Sequence, residues 1–263
     1  MKPIQDWNLT LGNYIISRCK HNGFLSAITK AERGYGKSMY NLKIMAYVFK
    51  CLYNCSDEEA WDKALGSMVF TPDQLLDKLH HNITTDNISP VICLDDATVH
   101  FSSMLYFVDL YETTLLNAMF DTIRTATHSL LINCPNKKRL LASLRNYDDH
   151  EITLYKEPSA DGYNRRAVCI KWYSLPDGHR RFKKMYEDHF SCYVPKDVYE
   201  RYIVKRKQYL EDISNELEEM RKNIGRKKKV RDVSDKIRMV ELKNKLEKIK
   251  VKQEGETVED VSG

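Results

Sequence analysis

The sequence predicts an α/β fold in which a largely parallel sheet is covered by helices on both faces. Between residues 24 and 134, short apolar runs typical of buried strands alternate with longer helical patterns. The stretch AERGYGKS, residues 31–38, links the first of these strands to a helix, and the run PVICLDD, residues 90–96, ends in two carboxylates. These observations predict a glycine-containing loop and acidic side chains at the ligand-binding edge of the sheet.

The predicted elements follow one another without an internal repeat. FLSAITK is a buried strand, KSMYNLKIMAYVFKCLY a helix, DEEAWDKAL a second helix and SMVF a short strand. TPDQLLDKLHH begins a helix with Thr71 as N-cap, Pro72 at the first position and Gln74 completing a capping box. PVICLDD is then a strand, ETTLLNAMFDTIRTA a helix and SLLINCP a further strand.

The pattern changes after Leu144. EITLYKE, RAVCIKWYSL and HRRFKKMYEDHFSCYV indicate β-strands joined by turns, and from Pro195 the chain becomes helical and charged. Two short apolar seams with 3,4 spacing, separated by the basic run RKKKVR, suggest a helical hairpin or a self-association arm. The predicted organisation is a core over 1–150, a β-rich continuation over 151–194, a helical basic arm over 195–251 and a disordered tail over 252–263.

The stretch AERGYGKS has the residues that a phosphate-binding loop requires. Such a loop needs backbone N–H groups aimed inward at the start of a helix, a lysine for the β- and γ-phosphates and a hydroxyl for Mg²⁺. Alanine stands at the first position, where glycine is usual, and adds only one methyl group; a glycine-containing surface turn is the alternative. The predicted nucleotide-binding residues are Ala31, Arg33, Gly34, Tyr35, Gly36, Lys37 and Ser38, with Lys37 supplying the charge and Ser38 the metal-binding hydroxyl.

The run PVICLDD supplies the second expected part of a nucleotide site. Four apolar residues, Val91 to Leu94, are followed by Asp95 and Asp96. We expect Asp95 to hold Mg²⁺ through water and Asp96 to orient or deprotonate the attacking water. A strand that runs into an acidic turn is the alternative, but the two motifs occur in the order and context that phosphate-loop proteins require.

A third element is expected at the end of the next strand, where Asn133 would lie between the carboxylates and the γ-phosphate. A helix between the LDD run and this strand predicts an extra strand between the strand of the phosphate loop and that of the carboxylates. This insertion typifies the additional-strand P-loop NTPases (AAA+, RecA-like and FtsK-like). Arg124, and less so Arg145, is a candidate for the arginine that such ATPases often insert into a neighbouring subunit.

Charge is distributed unevenly along the chain. The net charge is +5, yet residues 221–250 hold 13 lysines and arginines against four acids, so the remainder is slightly acidic. A basic segment predicts an anionic partner, most simply DNA, while a solvated charged helix is the alternative. The sequence contains no apolar run of about 18 residues, so we expect no membrane span, and the scattered cysteines predict buried thiols rather than a zinc site.

With these residues placed, the chain resembles the P-loop ATPases of fuselloviruses, the spindle-shaped viruses of hyperthermophilic archaea, which are often described as DnaA-like. The resemblance runs from about residue 7 to 220 and rests on NGFLSAI, EEAWDKALGSMVF, PVICLDDATVHF and VPKDVYERYIVKRKQYLEDISNELEEM. It implies an archaeal viral or plasmid ATPase in the host cytoplasm that serves replication or DNA packaging. Ala31 and the basic extension after residue 222 depart from the family pattern.

The leading functional hypothesis is therefore a Mg²⁺-dependent, oligomeric ATPase that acts on DNA. Backbone contacts are expected from RKKKVR and from a basic set in the β-rich region, Arg165, Arg166, Arg180, Arg181, Lys183 and Lys184. The alternative is a nucleotide-dependent switch that uses the helical arm to hold a protein partner, with little turnover. A small-molecule kinase is disfavoured by the LDD pair and by missing lid arginines.

Overall fold

The computed structural model describes residues 4–102, 110–145, 150–175, 179–215, 217–219 and 221–222. The chain divides into two compact units, residues 1–202 and 203–263. The first unit contains the whole sheet, and the described residues of the second unit are helical. The predicted basic run RKKKVR, the second apolar seam and the disordered tail lie outside the described residues.

The described part of the first unit builds one mixed sheet and its covering helices. The strands are β1 (Leu25–Lys30), β2 (Met68–Val69), β3 (Ile92–Leu94), β4 (Ser129–Cys134), β5 (His150–Lys156), β6 (Asn164–Ser174) and β7 (Arg180–Ser191). The helices are α1 (Thr10–Lys20), α2 (Lys37–Tyr53), α3 (Asp57–Gly66), α4 (Pro72–Thr84), α5 (Leu110–Thr122) and α6 (Ala142–Arg145). A seventh helix, α7 (196–215), begins directly after Pro195 and continues into the second unit.

The seven strands are ordered β2-β3-β4-β1-β5-β6-β7. The first five are parallel, and β1 pairs with β4 from Leu25↔Ser129 onward and with β5 from Ala27↔His150 onward. Strand β4 thus lies between β1 and β3, which confirms the extra strand expected from the sequence. Strands β6 and β7 continue the same sheet in antiparallel pairing.

The central strands are buried along nearly their whole length, as parallel strands covered on both faces must be. Helix α2 is also buried over a continuous run from Tyr40 to Phe49, so it lies in the interior rather than presenting one polar face to solvent. One apolar cluster packs α4, α5 and α6 against β1, β3 and β4, and it includes Phe101 and Phe120. None of the described helices combines the length and apolarity needed to cross a membrane.

Side-chain hydrogen bonds cap the starts of α3 and α4, and the cap of α4 differs in one bond from the sequence prediction. The Thr71 hydroxyl caps α4 by accepting from the Gln74 N–H at 3.2 Å. The Gln74 side chain accepts from the N–H of Phe70 at 2.9 Å, so the predicted reciprocal bond forms one residue earlier. A complete capping box, with Ser56 and Glu59 bonded both ways, begins α3 and was absent from the sequence prediction.

His150, at the start of β5, is buried at 6% exposure against the Tyr14 ring, 5.6 Å away between centroids. Its Nδ1 has no hydrogen-bond partner among the described residues. Burial, together with the charges of Lys171 and Arg18, lowers the pKa of His150 to about 4. The folded protein therefore holds a neutral imidazole that protonates in the unfolded chain near pH 6.5.

The free energy of unfolding should decrease as the pH falls, because of His150. Because the folded pKa lies below the unfolded value, its contribution is full above pH 6.5 and is lost as pH falls toward 4. Between pH 7.5 and 5 the loss in the free energy of unfolding should be about 2 kcal/mol, and His150→Phe should remove that component. Urea denaturation at both values measures it. His80→Gln, at an exposed position of α4, should keep the wild-type dependence, and an equal dependence in His150→Phe would exclude His150 as the source.

Candidate functional site

The loop between β1 and α2 closes around the ammonium group of Lys37. The Lys37 Nζ donates to the carbonyl of Ala31 at 2.8 Å and to that of Glu32 at 2.9 Å. Gly34 and Gly36 have φ values of +78° and +85°, a left-handed conformation that side chains disfavour. The two glycines therefore have the left-handed backbone that a tight loop needs, and the contact of Lys37 with a phosphate stays a prediction.

Helix α2 begins at this loop and points its N-terminus at it. The Tyr40 N–H donates the first helical bond, to the Gly36 carbonyl at 2.8 Å. The N–H groups of residues 37–39 consequently precede the helical ladder and have no acceptor within it. The N–H groups of the first helical turn and the positive end of the helix dipole favour an anion at this point.

The carboxylate of Asp95, directly after β3, is the centre of the hydrogen-bond network. Asp95 is 1% exposed. Its Oδ1 accepts from the Ser38 hydroxyl at 2.9 Å and from the Asn133 side-chain amide at 2.8 Å, and its Oδ2 accepts from the Tyr202 hydroxyl at 2.9 Å. The structure thus brings together Ser38, Asp95 and Asn133 as the sequence predicted, and adds Tyr202.

Asn133 is oriented by a second layer of buried amides and hydroxyls. The Asn41 side chain, on α2, donates to the Asn133 Oδ1 at 2.8 Å. Thr29, on β1, donates in turn to Asn41 Oδ1 at 3.2 Å. Because both amide oxygens accept, both amide nitrogens point along the chain of bonds toward the carboxylate of Asp95.

Burial raises the pKa of Asp95, and the charge of Asp96 raises it further, against the hydrogen bonds from Asn133, Ser38 and Tyr202. A cation beside this carboxylate would favour its ionised form. The Ser38 hydroxyl and the Asp95 carboxylate are hard oxygen donors of the kind that Mg²⁺ takes together with water and phosphate oxygens. The described residues contain no group of three or more His, Cys, Asp or Glu able to hold a metal by themselves.

Asp96 lies next to this buried group but is only partly buried. Its φ is +50°, and it opens the turn in which the Val99 N–H donates to the Asp96 carbonyl at 3.1 Å. Aspartate tolerates this left-handed conformation better than most residues. The chain therefore turns at once after the strand, so that one carboxylate is enclosed and the next lies toward the edge.

Residues at the start of β6 and after the end of β7 pack against the predicted phosphate loop. The Arg165 Nε donates to the Tyr35 carbonyl at 3.3 Å, and its Nη1 donates to the carbonyls of Gly162 and Asn164. A Cβ on Gly36 would lie 3.0 Å from the Cβ of Cys192. Gly36 is thus required both by its φ and by this close approach.

These contacts correct the sequence prediction for two basic residues. Arg165 is 6% exposed and holds the loop, so it does not face a DNA backbone. Arg166 forms ion pairs with Glu187 at 3.3 Å and with Glu157 at 4.0 Å. Of the predicted basic set, Arg181, Lys183 and Lys184 are exposed, while the side chain of Arg180 lies outside the described part.

A positive cluster that the sequence analysis did not identify lies at the same edge of the sheet. Glu151, on β5, is 6% exposed and is paired with Lys30 at the end of β1 and with Lys137 after β4. Burial raises the pKa of Glu151, but the hydrogen bonds and charges of the two lysines outweigh it and hold that pKa below its usual value. Two lysines share one carboxylate, so the cluster is net positive next to the loop.

Three predicted arginines lie outside this network. Arg33 is exposed on the phosphate loop. Arg124 is exposed in the 3₁₀ turn Ile123–Thr125, ahead of β4, whereas Asn133 lies near the opposite end of that strand. The structure does not bring Arg124 to the site of its own chain, and its role in a neighbouring subunit stays a prediction. Arg145 donates to the Lys138 carbonyl at 3.1 Å.

No protein-family model matches the chain. Over 225 residues it is 26% identical to an uncharacterized protein, B-251, of Sulfolobus spindle-shape virus 1, a similarity that covers 84% of this chain and 88% of the viral protein. The comparison supports the fusellovirus relationship expected from the sequence. Because the viral protein is uncharacterized, the DnaA-like ATPase assignment stays a prediction.

Replacement of the two loop glycines should have unequal effects. Both have positive φ, but a Cβ on Gly34 would meet no atom within 4 Å, whereas one on Gly36 would press on Cys192. Gly34→Ala should cost about 1–2 kcal/mol of unfolding free energy from backbone strain alone, and Gly36→Ala should cost more because the clash adds to the strain. Equilibrium urea unfolding measures both. Adding Cys192→Gly should recover part of the Gly36→Ala loss; equal costs for the two glycines would refute the close packing.

Proposed function

We propose that this protein binds ATP with Mg²⁺, hydrolyses it, and acts on DNA as an oligomer. The observation that carries the proposal is the arrangement of Lys37 within its glycine loop beside the bonded set Ser38, Asp95 and Asn133. A buried carboxylate, a serine hydroxyl and a lysine at one helix N-terminus together suit a phosphate chain and its metal. A glycine-containing surface turn would not require this buried network.

The proposed roles follow from chemistry and position. Lys37 and the backbone N–H groups at the start of α2 would bind the phosphates, and Ser38 and Asp95 would hold Mg²⁺, whose charge would compensate that of the phosphate oxygens. Asp96, partly buried beside Asp95, accepts the proton of the water that attacks the γ-phosphorus, and ADP leaves. Asn133 orients the Asp95 carboxylate through their hydrogen bond, and its proposed role is to act between that carboxylate and the γ-phosphate.

The strand order supports the additional-strand class of P-loop NTPases. Strand β4 separates β1, which leads into the loop, from β3, which leads into Asp95. This placement puts Asn133 on the strand between the two halves of the site. The proposal extends to a DnaA-like ATPase of an archaeal virus, working in the host cytoplasm in replication, packaging or remodelling of DNA, and a neighbouring subunit would supply Arg124.

DNA binding is argued from the end of the β6–β7 hairpin, here called the basic ribbon (residues 171–174 and 180–184). Its cross-strand pairs include Lys171↔Lys183 and Tyr173↔Arg181. Like charges directly opposite each other are destabilising in a sheet. No described carboxylate forms an ion pair with these three basic residues, so a polyanion would relieve their repulsion.

Aromatic rings accompany the basic side chains. Phe182 is 62% exposed and its ring contacts that of Trp172 at 5.4 Å between centroids. Pairing of β5 with β6 reaches Lys171, so the ribbon beyond it is held by β6 and β7 alone. A two-stranded ribbon with this composition suits contact with phosphates and, in single strands, with bases. The basic segment 221–250, outside the described residues, would add to the same interaction.

A specific observation also favours the rival function, a nucleotide-dependent interaction switch. Leu210 and Leu217, one heptad apart in the helical second unit, are 52% and 60% exposed. Exposed leucines at this spacing suit packing against a partner helix. Hydrolysis that is stimulated by DNA would favour the DNA-dependent ATPase, while slow hydrolysis indifferent to DNA would favour the switch.

Two substitutions should separate binding from hydrolysis. Lys37→Ala should abolish ATP binding, because the charge inside the loop is lost. Asp96→Asn should bind ATP normally but turn it over about 10²–10⁴-fold more slowly, as expected when a general base is removed. Binding is measured by calorimetry and turnover by phosphate release, with and without DNA.

Matched controls are present in the chain. Lys20→Ala removes an exposed lysine of α1, and Asp86→Asn changes an exposed aspartate whose φ of +51° matches the +50° of Asp96. Both should behave as wild type. Retained ATP binding in Lys37→Ala would remove the loop assignment, and normal turnover in Asp96→Asn would assign the base role elsewhere.

The basic ribbon should account for part of the salt dependence of DNA binding. Replacing Lys171 and Lys183 together by serine should reduce the slope of log K against log salt by about 2 units. Fluorescence anisotropy with a short duplex, at several salt concentrations, measures the slope. Lys20→Ser with Lys63→Ser, two exposed helix lysines, is the control of equal charge. A chain ending before residue 222 tests the basic segment in the same way, and an unchanged slope in the ribbon variant would exclude the ribbon.

A further inference from the structure

We propose that Tyr202 is a positioning residue for the metal-binding carboxylate, an inference that rests on the proposed function. Tyr202 lies on α7 and is 2% exposed. Its hydroxyl donates to Oδ2 of Asp95 at 2.9 Å, and the bond is buried. The tyrosine is 107 residues from its partner in sequence, and no nucleotide-binding motif points to it.

The hydroxyl distinguishes Tyr202 from an ordinary core residue. A phenylalanine would fill the same space without a polar group to satisfy, whereas a buried hydroxyl costs free energy unless it is bonded. Val198, one turn earlier on the same helix, is an apolar residue at 1% exposure. The one polar atom of the Tyr202 side chain is bonded to the carboxylate.

The bonds to Asp95 are divided between its two oxygens. Ser38 and Asn133 donate to Oδ1, and Tyr202 donates to Oδ2. With donors on both oxygens the carboxylate cannot rotate without breaking a buried hydrogen bond. Tyr202 also stabilises the charged carboxylate at the oxygen that Ser38 and Asn133 do not contact, and so supports metal binding. Partners of this kind around a metal ligand commonly contribute 10- to 100-fold in affinity.

Helix α7 is held next to the site by contacts other than this hydrogen bond. Arg201 pairs with Asp62 of α3 and with Asp197 one turn earlier in α7, the latter at 3.4 Å. Val198 packs in the interior. Removal of the Tyr202 hydroxyl should therefore leave the helix in place, and Tyr202→Phe should fold.

The test compares Tyr202→Phe with Tyr199→Phe. Tyr199 lies on the same helix and is 48% exposed, so the two variants lose the same hydroxyl from buried and exposed positions. ADP binding is measured by calorimetry in Mg²⁺ and in EDTA, and ATP hydrolysis is measured over a Mg²⁺ titration. Tyr202→Phe should bind ADP as wild type in EDTA, lose about 10-fold in affinity only when Mg²⁺ is present, and need about 10-fold more Mg²⁺ for half-maximal turnover.

Each outcome decides between the two proposals. Wild-type Mg²⁺ dependence in Tyr202→Phe, with ATP hydrolysis intact, would overturn the role of Tyr202 and leave the proposed function standing. An equal loss in Tyr199→Phe would also overturn it, since the effect would not need the bond to Asp95. A loss of ADP affinity in EDTA as large as that in Mg²⁺ would reduce Tyr202 to a structural residue. A wild-type protein that binds no nucleotide would overturn both.

Discussion

The structure of the candidate site depends on one buried carboxylate. An enclosed charge is costly unless hydrogen bonds and charges compensate it. Asp95 receives its donors from three separate elements: Ser38 from α2, Asn133 from β4 and Tyr202 from α7. The central strands, the loop helix and the start of α7 are thus fixed relative to one another at a single point, which is also the centre of the proposed metal and phosphate site.

Local patterns were enough to predict strands β1 to β4 and the first residues of the site, but not the parallel pairing of β5 with β1. Strands β1, β3 and β4 are short apolar runs with turn residues behind them, and α2 begins at Lys37, directly after Gly36, as the motif predicted. The insertion of β4 between β1 and β3 followed from a helix ahead of the SLLINCP strand. Asp95 and Asn133 were found because each directly follows or ends an apolar run.

The site residues that the sequence analysis did not identify contact partners that are distant in sequence, so they leave no local pattern. Asn41 is one polar residue inside a buried helix, and Tyr202 is one of 16 tyrosines in a charged stretch. Arg165 and Arg166 are adjacent in sequence, yet one is buried on the loop and the other forms ion pairs with glutamates, because neighbours in a strand point to opposite faces. Only the fold distinguishes these two arginines. The sequence analysis therefore predicted one DNA-facing basic set, whereas in the structure Arg165 and Arg166 have other contacts.

The parallel pairing also determines when the site can exist during synthesis. Strand β1 leaves the ribosome early, but its two neighbours begin at Ser129 and His150, and the last donor to Asp95 is Tyr202. Pairings between distant segments form slowly, because loop closure costs entropy before any contact is gained. The loop between β1 and α2 of a nascent chain therefore lacks its supporting strands until most of the first unit has emerged. The proposed nucleotide site would thus be completed late, only in a chain that has been translated past the first turns of α7.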